Sequence, residues 1–208
     1  FAVDRAGLVG SDGETHQGCF DLTYLSMIPN MTVMAPKNKW ELSDMLKFAV
    51  KYQGPVAIRY PKGEAYDGLE EFRAPIVLGR SEILFEGEKI ALFPVGSMVK
   101  TGEEVYRLLK EEGEDPTLIN ARFVKPLDEK MLDRLAEKHR LLVTMEENVK
   151  SGGFGMAVAD YMRRNHPNVR VLLFAVPDQF IEHGNPEKLK EKLGLDPVSI
   201  FEKIKEAR

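Results

Sequence analysis

Two short runs, IALFPV (90–95) and VRVLLFAV (169–176), are apolar almost throughout, a third strand is expected at RLLVTME (140–146), and segments of helical period lie between them. A strand wet on one side alternates apolar and polar residues. A strand apolar on both sides must be covered on both, which calls for a parallel sheet between two layers of helices. The rest of this region fits that demand: helices are expected at 100–112, 128–138 and 153–165, a strand at 117–121, and two short helices near 186–193 and 197–206. Asp128, two residues after Pro126, is placed to cap a helix, and Gly113 and Gly194 stand where helices end. Residues 76–208 therefore read as an open three-layer α/β domain, entered through two or three strands in IVLGRSEILFEGEKIALFPVG.

The first part of the chain has a different rhythm. FAV reads as the second half of a buried strand, and Phe1 is not a start methionine, so a piece of a longer protein beginning inside a domain is expected. MTVMAP (31–36) and PVAIRYPKG (55–63) read as strands. Between them Leu42, Met45, Leu46, Ala49 and Val50 recur at helical spacing, giving a helix over 38–52. Strand, helix and strand at this spacing form a βαβ unit. Residues 1–63 are thus expected to be part of a parallel-sheet domain. Residues 64–75, with Gly68 and Pro75 and no clean period, read as a linker.

Composition narrows the function. With 43% hydrophobic and 30% charged residues and a net charge of −4, the chain has no general pull toward nucleic acid or an anionic membrane. Any anion must be gripped locally. No apolar run approaches the length of a membrane span, and the single cysteine, Cys19, excludes an internal disulfide framework and fits a reducing cytosol. Burial as a small apolar residue is the expectation for it.

The densest chemistry lies in DRAGLVGSDGETHQG (4–18), where Arg5, Asp12 and His16 share a run with Gly7, Gly10, Gly13 and Gly18. Arg5 follows a strand, where open α/β sheets bind ligands, and a guanidinium there suits a phosphate or carboxylate. His16 can donate and accept near neutral pH, and Asp12 can orient it. The glycines would let the backbone approach a ligand closely. The plainer alternative is a glycine turn with a capping aspartate and a histidine that serves only the fold.

Arg59 and Lys62 of RYPKG could reach the same crevice; the alternative is a solvated loop with Arg59 in a surface ion pair. FPVGSMVKTG and EENVKSGGFG look like phosphate cradles but match no phosphate-loop pattern, so packing is the expected role of both. His139 and His166 are expected to be solvated, and His183 to cap a turn or face an interface. No histidine pair has metal-ligand spacing with a carboxylate, so no metal is expected in this chain.

The run DRAGLVGSDGETHQGCFDLTYLSMIPNMTVMAP resembles the pyrimidine-binding domain of the transketolase-type thiamine-diphosphate enzymes. With RYPKG, GSMV, NARFVKPLD, EEN…GGFG and PDQFIEHG, the likeness covers nearly all 208 residues and is strongest to the 1-deoxy-D-xylulose-5-phosphate synthases. That resemblance implies condensation of pyruvate with glyceraldehyde 3-phosphate, with loss of carbon dioxide, on the way to isoprenoid precursors, thiamine and pyridoxal. It implies thiamine diphosphate and Mg2+ as cofactors, a cytoplasmic homodimer, and a transketolase C-terminal-type domain for residues 76–208.

By the same resemblance, Arg5 and Lys62 hold the acceptor's phosphate, and Asp12 and His16 contact its hydroxyl and carbonyl groups. Lys62 stands where these synthases often carry arginine. Their pyrimidine-binding glutamate and their metal-diphosphate motif find no equivalent here, so this piece is expected to be inactive alone. A transketolase, a 2-oxoacid dehydrogenase β-subunit and a non-catalytic dimerisation module are the alternatives.

Overall fold

The computed structural model describes all 208 residues, arranged around two sheets. The first sheet holds β1 (Ala2–Val3), β2 (Thr32–Met34) and β3 (Val56–Arg59), all parallel, in the order β1-β3-β2. Between β2 and β3 runs α2 (Lys39–Lys51), which completes the expected βαβ unit. The Asn38 side chain starts this helix by accepting from Glu41 N–H at 2.9 Å, one of the donors a helix's first turn leaves unpaired.

The second sheet holds β4 (Glu82–Phe85), β5 (Lys89–Pro94), β6 (Thr117–Asn120), β8 (His139–Val149) and β9 (Arg170–Val176), in the order β4-β6-β5-β8-β9. Its strands are parallel except β4, which runs antiparallel along the edge beside β6. Helices α3 (Met98–Glu111), α4 (Glu129–Lys138) and α5 (Phe154–Asn165) link its strands, and α6 (Pro186–Leu193) and α7 (Pro197–Ala207) finish the chain. Asp128 caps α4 through Met131 N–H at 3.2 Å, and Gly194 closes α6 in the left-handed conformation. Gly113, at φ +80°, follows the end of α3.

Two elements were not apparent from periodicity. Helix α1 (Asp21–Met27) follows the glycine-rich run, and β7 (Phe123–Lys125) leaves the second half of the chain to pair antiparallel with β2. The first sheet is thus completed by a strand from the other half. Residues 64–75 carry neither helix nor strand, yet Leu69 is buried and Tyr66 and Phe72 pack against the same apolar cluster. A second cluster joins Leu22, Val33 and Ala57 to Phe93, Ile119 and Phe154, so the two halves share a core. No helix is long and apolar enough to cross a membrane.

Between the sheets lies a buried network of charges. Lys37 Nζ sits 2.7 Å from Glu82 Oε2 and 3.3 Å from Glu41 Oε1. The Arg122 guanidinium reaches Glu41 at 2.7 Å and Glu82 at 2.9 Å. Asn120 Nδ2 donates to both oxygens of Glu41, and Arg122 donates to the carbonyls of Ala74 and Pro75.

Two histidine expectations need correction. His139 is buried rather than solvated: Nδ1 lies 2.8 Å from Leu135 O and Nε2 lies 2.7 Å from Thr117 Oγ1. Burial holds its imidazole below the ordinary histidine value. His166 is partly covered and pairs with Asp133 at 2.7 Å.

Removing one member of the buried network strands the others in a dry site. Glu82→Ala is expected to cost about 3–5 kcal/mol, because Lys37 and Arg122 then share only Glu41. Urea unfolding of the variant against the parent checks this, and a loss below about 1 kcal/mol would mean that water relieves the stranded charges.

Candidate functional site

The glycine-rich run begins where β1 ends and folds back on itself. Gly18 N–H donates to Arg5 O at 3.0 Å and Gly7 N–H to Gly18 O at 3.1 Å, so the loop is pinched shut at its base. Arg5 takes the left-handed φ of +58°, unusual for a side chain of its size. Beyond the pinch the chain makes two single 3₁₀ turns, Gly10–Asp12 and Glu14–His16.

Three of the four expected residues meet. Lys62 Nζ, just past the end of β3, lies 2.7 Å from Asp12 Oδ1 and 2.8 Å from Oδ2. Arg5 Nε lies 3.3 Å from Asp12 Oδ2. The Asp12 carboxyl is held below its ordinary value, first by the hydrogen bond from Lys62, then by the charges of Lys62, Arg5 and His16. His16 does not join the ion pairs: it is exposed, and its Nδ1 lies 3.0 Å from the Thr15 hydroxyl.

Lys62 opens onto a cleft of about 990 Å³ between the two halves of the molecule. Ser11, Tyr60 and Lys62 stand on one side and Ser97, Lys100, Glu147 and Lys190 on the other. Arg5, Asp12 and His16 do not line it; Arg5 and Asp12 connect to it through Lys62.

Arg59 has neither of the roles weighed for it. It is buried, and its guanidinium donates to Gly18 O and to Glu147 O, the latter at 2.8 Å, with Asp21 Oδ2 3.6 Å from Nε. It braces the base of the loop. The glycines also differ from expectation. A Cβ on Gly7 would come within 2.7 Å of Glu147 Cβ, one on Gly10 would overlap Gly184 O, and one on Gly18 would overlap Arg5 O. These glycines bring backbone against protein. Only Gly13, at φ +85°, faces open space.

Glu147 went unnoticed in the sequence. It is buried, accepts from the Ser97 hydroxyl, and has Lys190 Nζ at 3.4 Å. The signal was a pair of acids closing an apolar strand, since such acids need partners. Its neighbour Glu146 accepts from Phe154 and Gly155 N–H at 2.9 and 2.8 Å, so the start of α5 is filled by a protein carboxylate. Burial pushes Glu146 up to about 7 against the pull of those two donors. EENVKSGGFG is therefore a packing device, as expected.

His183 is exposed and does not cap the turn; the Asn185 side chain starts α6 by accepting from Lys188 N–H. Cys19 is buried, its thiol pushed up to about 12 by that burial. No three His, Cys, Asp or Glu side chains converge as a metal site requires.

Comparison with known proteins agrees with this architecture. Residues 1–67 match the transketolase pyrimidine binding domain and residues 79–200 the transketolase C-terminal domain. The chain is 52% identical over 205 residues to the 1-deoxy-D-xylulose-5-phosphate synthase of Lachnoclostridium phytofermentans, and 45% identical over 206 residues to that of Alkaliphilus oremlandii. Those matches cover 98% and 99% of this chain and 33% of each relative, so the chain spans about a third of their length.

Among solved structures, a split-gene transketolase described as an inactive β4 tetramer superposes with a TM-score of 0.89 at 27% identity, over 99% of this chain and 65% of that one. The transketolase of Campylobacter jejuni superposes at 0.75 with 19% identity, over 98% of this chain and 30% of that one, which speaks to the fold. A glycine-rich loop pinched at the end of a parallel strand, a βαβ unit beside it and an open α/β sheet behind it thus come together with both domain matches: the chain belongs to the transketolase family.

Proposed function

We propose that this chain supplies the acceptor-phosphate side of a synthase that condenses pyruvate with glyceraldehyde 3-phosphate, with loss of carbon dioxide, to form 1-deoxy-D-xylulose 5-phosphate. The observation that carries the reading is the meeting of Arg5 and Lys62 on Asp12 beside a cleft. The identity to synthases of that name, 52% and 45% in the two cases above, supports it. The product would feed isoprenoid precursors, thiamine and pyridoxal.

Arg5 and Lys62 together carry two positive charges against one carboxylate, so the cluster has a net positive charge to offer an incoming phosphate. Arg5 can bind oxygens in pairs, whereas Lys62 acts as a point charge that turns from Asp12 to the ligand. Asp12, kept ionised, can accept from a hydroxyl of the acceptor. His16, exposed on the next 3₁₀ turn, can swing in to donate to its carbonyl or hydroxyl.

Thiamine diphosphate would supply the electron sink for pyruvate decarboxylation. This chain brings no cluster of ligands for Mg2+, so the cofactor and its metal would be held by other parts of the longer enzyme. The chain alone would then be inactive, as the split-gene neighbour is described to be. A homodimer in the cytosol completes the reading, and exposed Met27 and Ile28 at the end of α1 offer apolar surface for a second copy.

Extending the chain upstream to its relatives' length tests this. The extended protein is expected to release carbon dioxide from pyruvate when glyceraldehyde 3-phosphate is supplied, and the 208-residue chain to release none. Turnover of ketose phosphates alone would make it a transketolase, and turnover of neither would leave a dimerisation module. In the extended enzyme His16→Ala should lower kcat/KM at least tenfold, about 1.4 kcal/mol of barrier; parental rates would remove His16 from the site. Lys62→Ala should raise the acceptor KM roughly tenfold or more, consistent with about 1.5–3 kcal/mol for a charged contact, and leave the pyruvate KM alone. An unchanged acceptor KM would mean that the lysine serves only Asp12.

A further inference from the structure

The tip of the glycine-rich loop, residues 11–16, carries Asp12 and His16 and is tied to the first half of the chain through the ion pairs of Asp12 with Lys62 and Arg5. Its internal backbone bonds are local: Asp12 N–H to Val9 O, Gly13 N–H to Gly10 O and His16 N–H to Gly13 O. A Cβ on Gly13 would meet nothing within 4 Å, and Ser11, Glu14, Thr15 and His16 are exposed. Two anchors bracket this tip, and both belong to one segment in the C-terminal half of the chain. Ahead of the tip, Gly10 O accepts from Gly184 N–H at 3.1 Å, and Gly10 lies so close to Gly184 O and the Leu189 side chain that no Cβ would fit. Behind it, buried Gln17 donates from Nε2 to Ile181 O at 2.7 Å and to Glu182 O at 3.4 Å. Leu8 sits in one apolar cluster with Ile181 and Leu189.

The location adds to the argument. Strands β5 and β8 are neighbours whose following helices lead to opposite sides of the sheet, and in open α/β sheets the crevice at such a switch point is where ligands bind. Here Gly7 of the loop packs against Glu147 of β8, which the Ser97 hydroxyl after β5 and Lys190 of α6 hold in place. The crevice of the second sheet receives the chain's own loop.

We infer that segment 181–190, acting through Gln17, Gly10 and Leu189, positions the loop that presents Asp12 and His16, so that the C-terminal half is a working part of the acceptor site and not only a scaffold. This rests on the acceptor-site reading above. Gln17, at the loop's end, and Leu189, packed against Gly10, are positioning residues: they hold the loop and are assigned no contact with substrate. Arg5 and Lys62 are held separately, by the end of β1 and the end of β3, so loosening the clamp should separate Asp12 and His16 from the two cations without moving the cations.

The test uses the extended enzyme with Leu189→Ala, Leu189→Met and Gln17→Met, the last of which keeps the side chain's length and removes its donor. Amide hydrogen exchange over residues 10–17 is expected to quicken at least tenfold in Leu189→Ala and Gln17→Met, with β5 and β8 unchanged. The acceptor kcat/KM should fall at least tenfold with the pyruvate KM within twofold of the parent, and Leu189→Met should recover most of both. If Leu189→Ala fails to fold, Gln17→Met carries the same two readings. Unchanged exchange over 10–17 overturns the clamp, and faster exchange with an unchanged acceptor kcat/KM overturns its positioning role. A parent enzyme that turns over no acceptor sinks the functional reading and the positioning role with it. An active parent with silent variants sinks this inference alone.

Discussion

The dry cluster of Lys37, Glu41, Glu82 and Arg122 fixes how the two sheets face each other. Lys37 and Glu41 come from the β2–α2 connection and its helix, and Glu82 and Arg122 from β4 and the stretch after β6. Two cations and two anions balance, and Asn120 together with the carbonyls of Phe72, Ala74 and Pro75 takes up further valences. Such a cluster adds little net stability compared with apolar packing, but separating it would leave charges unpaired in a low dielectric. It therefore resists sliding more than it drives folding. The shared core and the β2–β7 pairing act in the same direction. The walls of the cleft stand on one body.

That rigidity explains how the loop's glycines are used. A loop meant to wrap a ligand needs glycines facing empty space, and only Gly13 does. Gly7, Gly10 and Gly18 let backbone meet backbone or the foot of Glu147, closer than any side chain permits. Arg59 belongs to the same construction, since it spans Gly18 O of the loop and Glu147 O of the second sheet. The density of glycine and charge between residues 4 and 18 thus answers two demands: a tight seat against the other half, and a tip whose Ser11, Glu14, Thr15 and His16 stay exposed.

What the sequence disclosed follows from the range of the forces involved. Helices α2 to α7 and the parallel strands were legible because their period and caps are local, as Asp128 and Gly194 illustrate. Helix α1 spans only Asp21–Met27, too short for a period to declare itself, and β7 is three residues whose partner lies in the other half. Arg5 and Lys62 could be expected near each other because each follows a strand of one sheet, and Asp12 because it shares a short glycine-rich run with Arg5. Nothing local separates Arg59 and Arg122, which are buried, from an arginine in solvent. Their burial is decided by Gly18, Glu147, Glu41 and Glu82, which are distant in sequence. Gln17 was invisible for the same reason, its two acceptors lying 164 and 165 residues away.

On the acceptor-site reading proposed above, a lysine at position 62 is physically coherent with this arrangement. Asp12 already engages Lys62 through both its oxygens and Arg5 through one. A phosphate monoester bound there, bearing roughly 1.5–2 negative charges at neutral pH, would have to draw cations away from that carboxylate. A guanidinium locked in a paired geometry with Asp12 would give up two directed bonds to do so. An ammonium on a flexible stem keeps one hydrogen bond to Asp12 while turning another to the phosphate, since its three donors are not coplanar. Arg5, paired with Asp12 through Nε, would on that reading have the rest of its guanidinium for the ligand. On the acceptor-site reading proposed above, the lysine would give up the planar fork and keep Asp12 anchored while an anion entered.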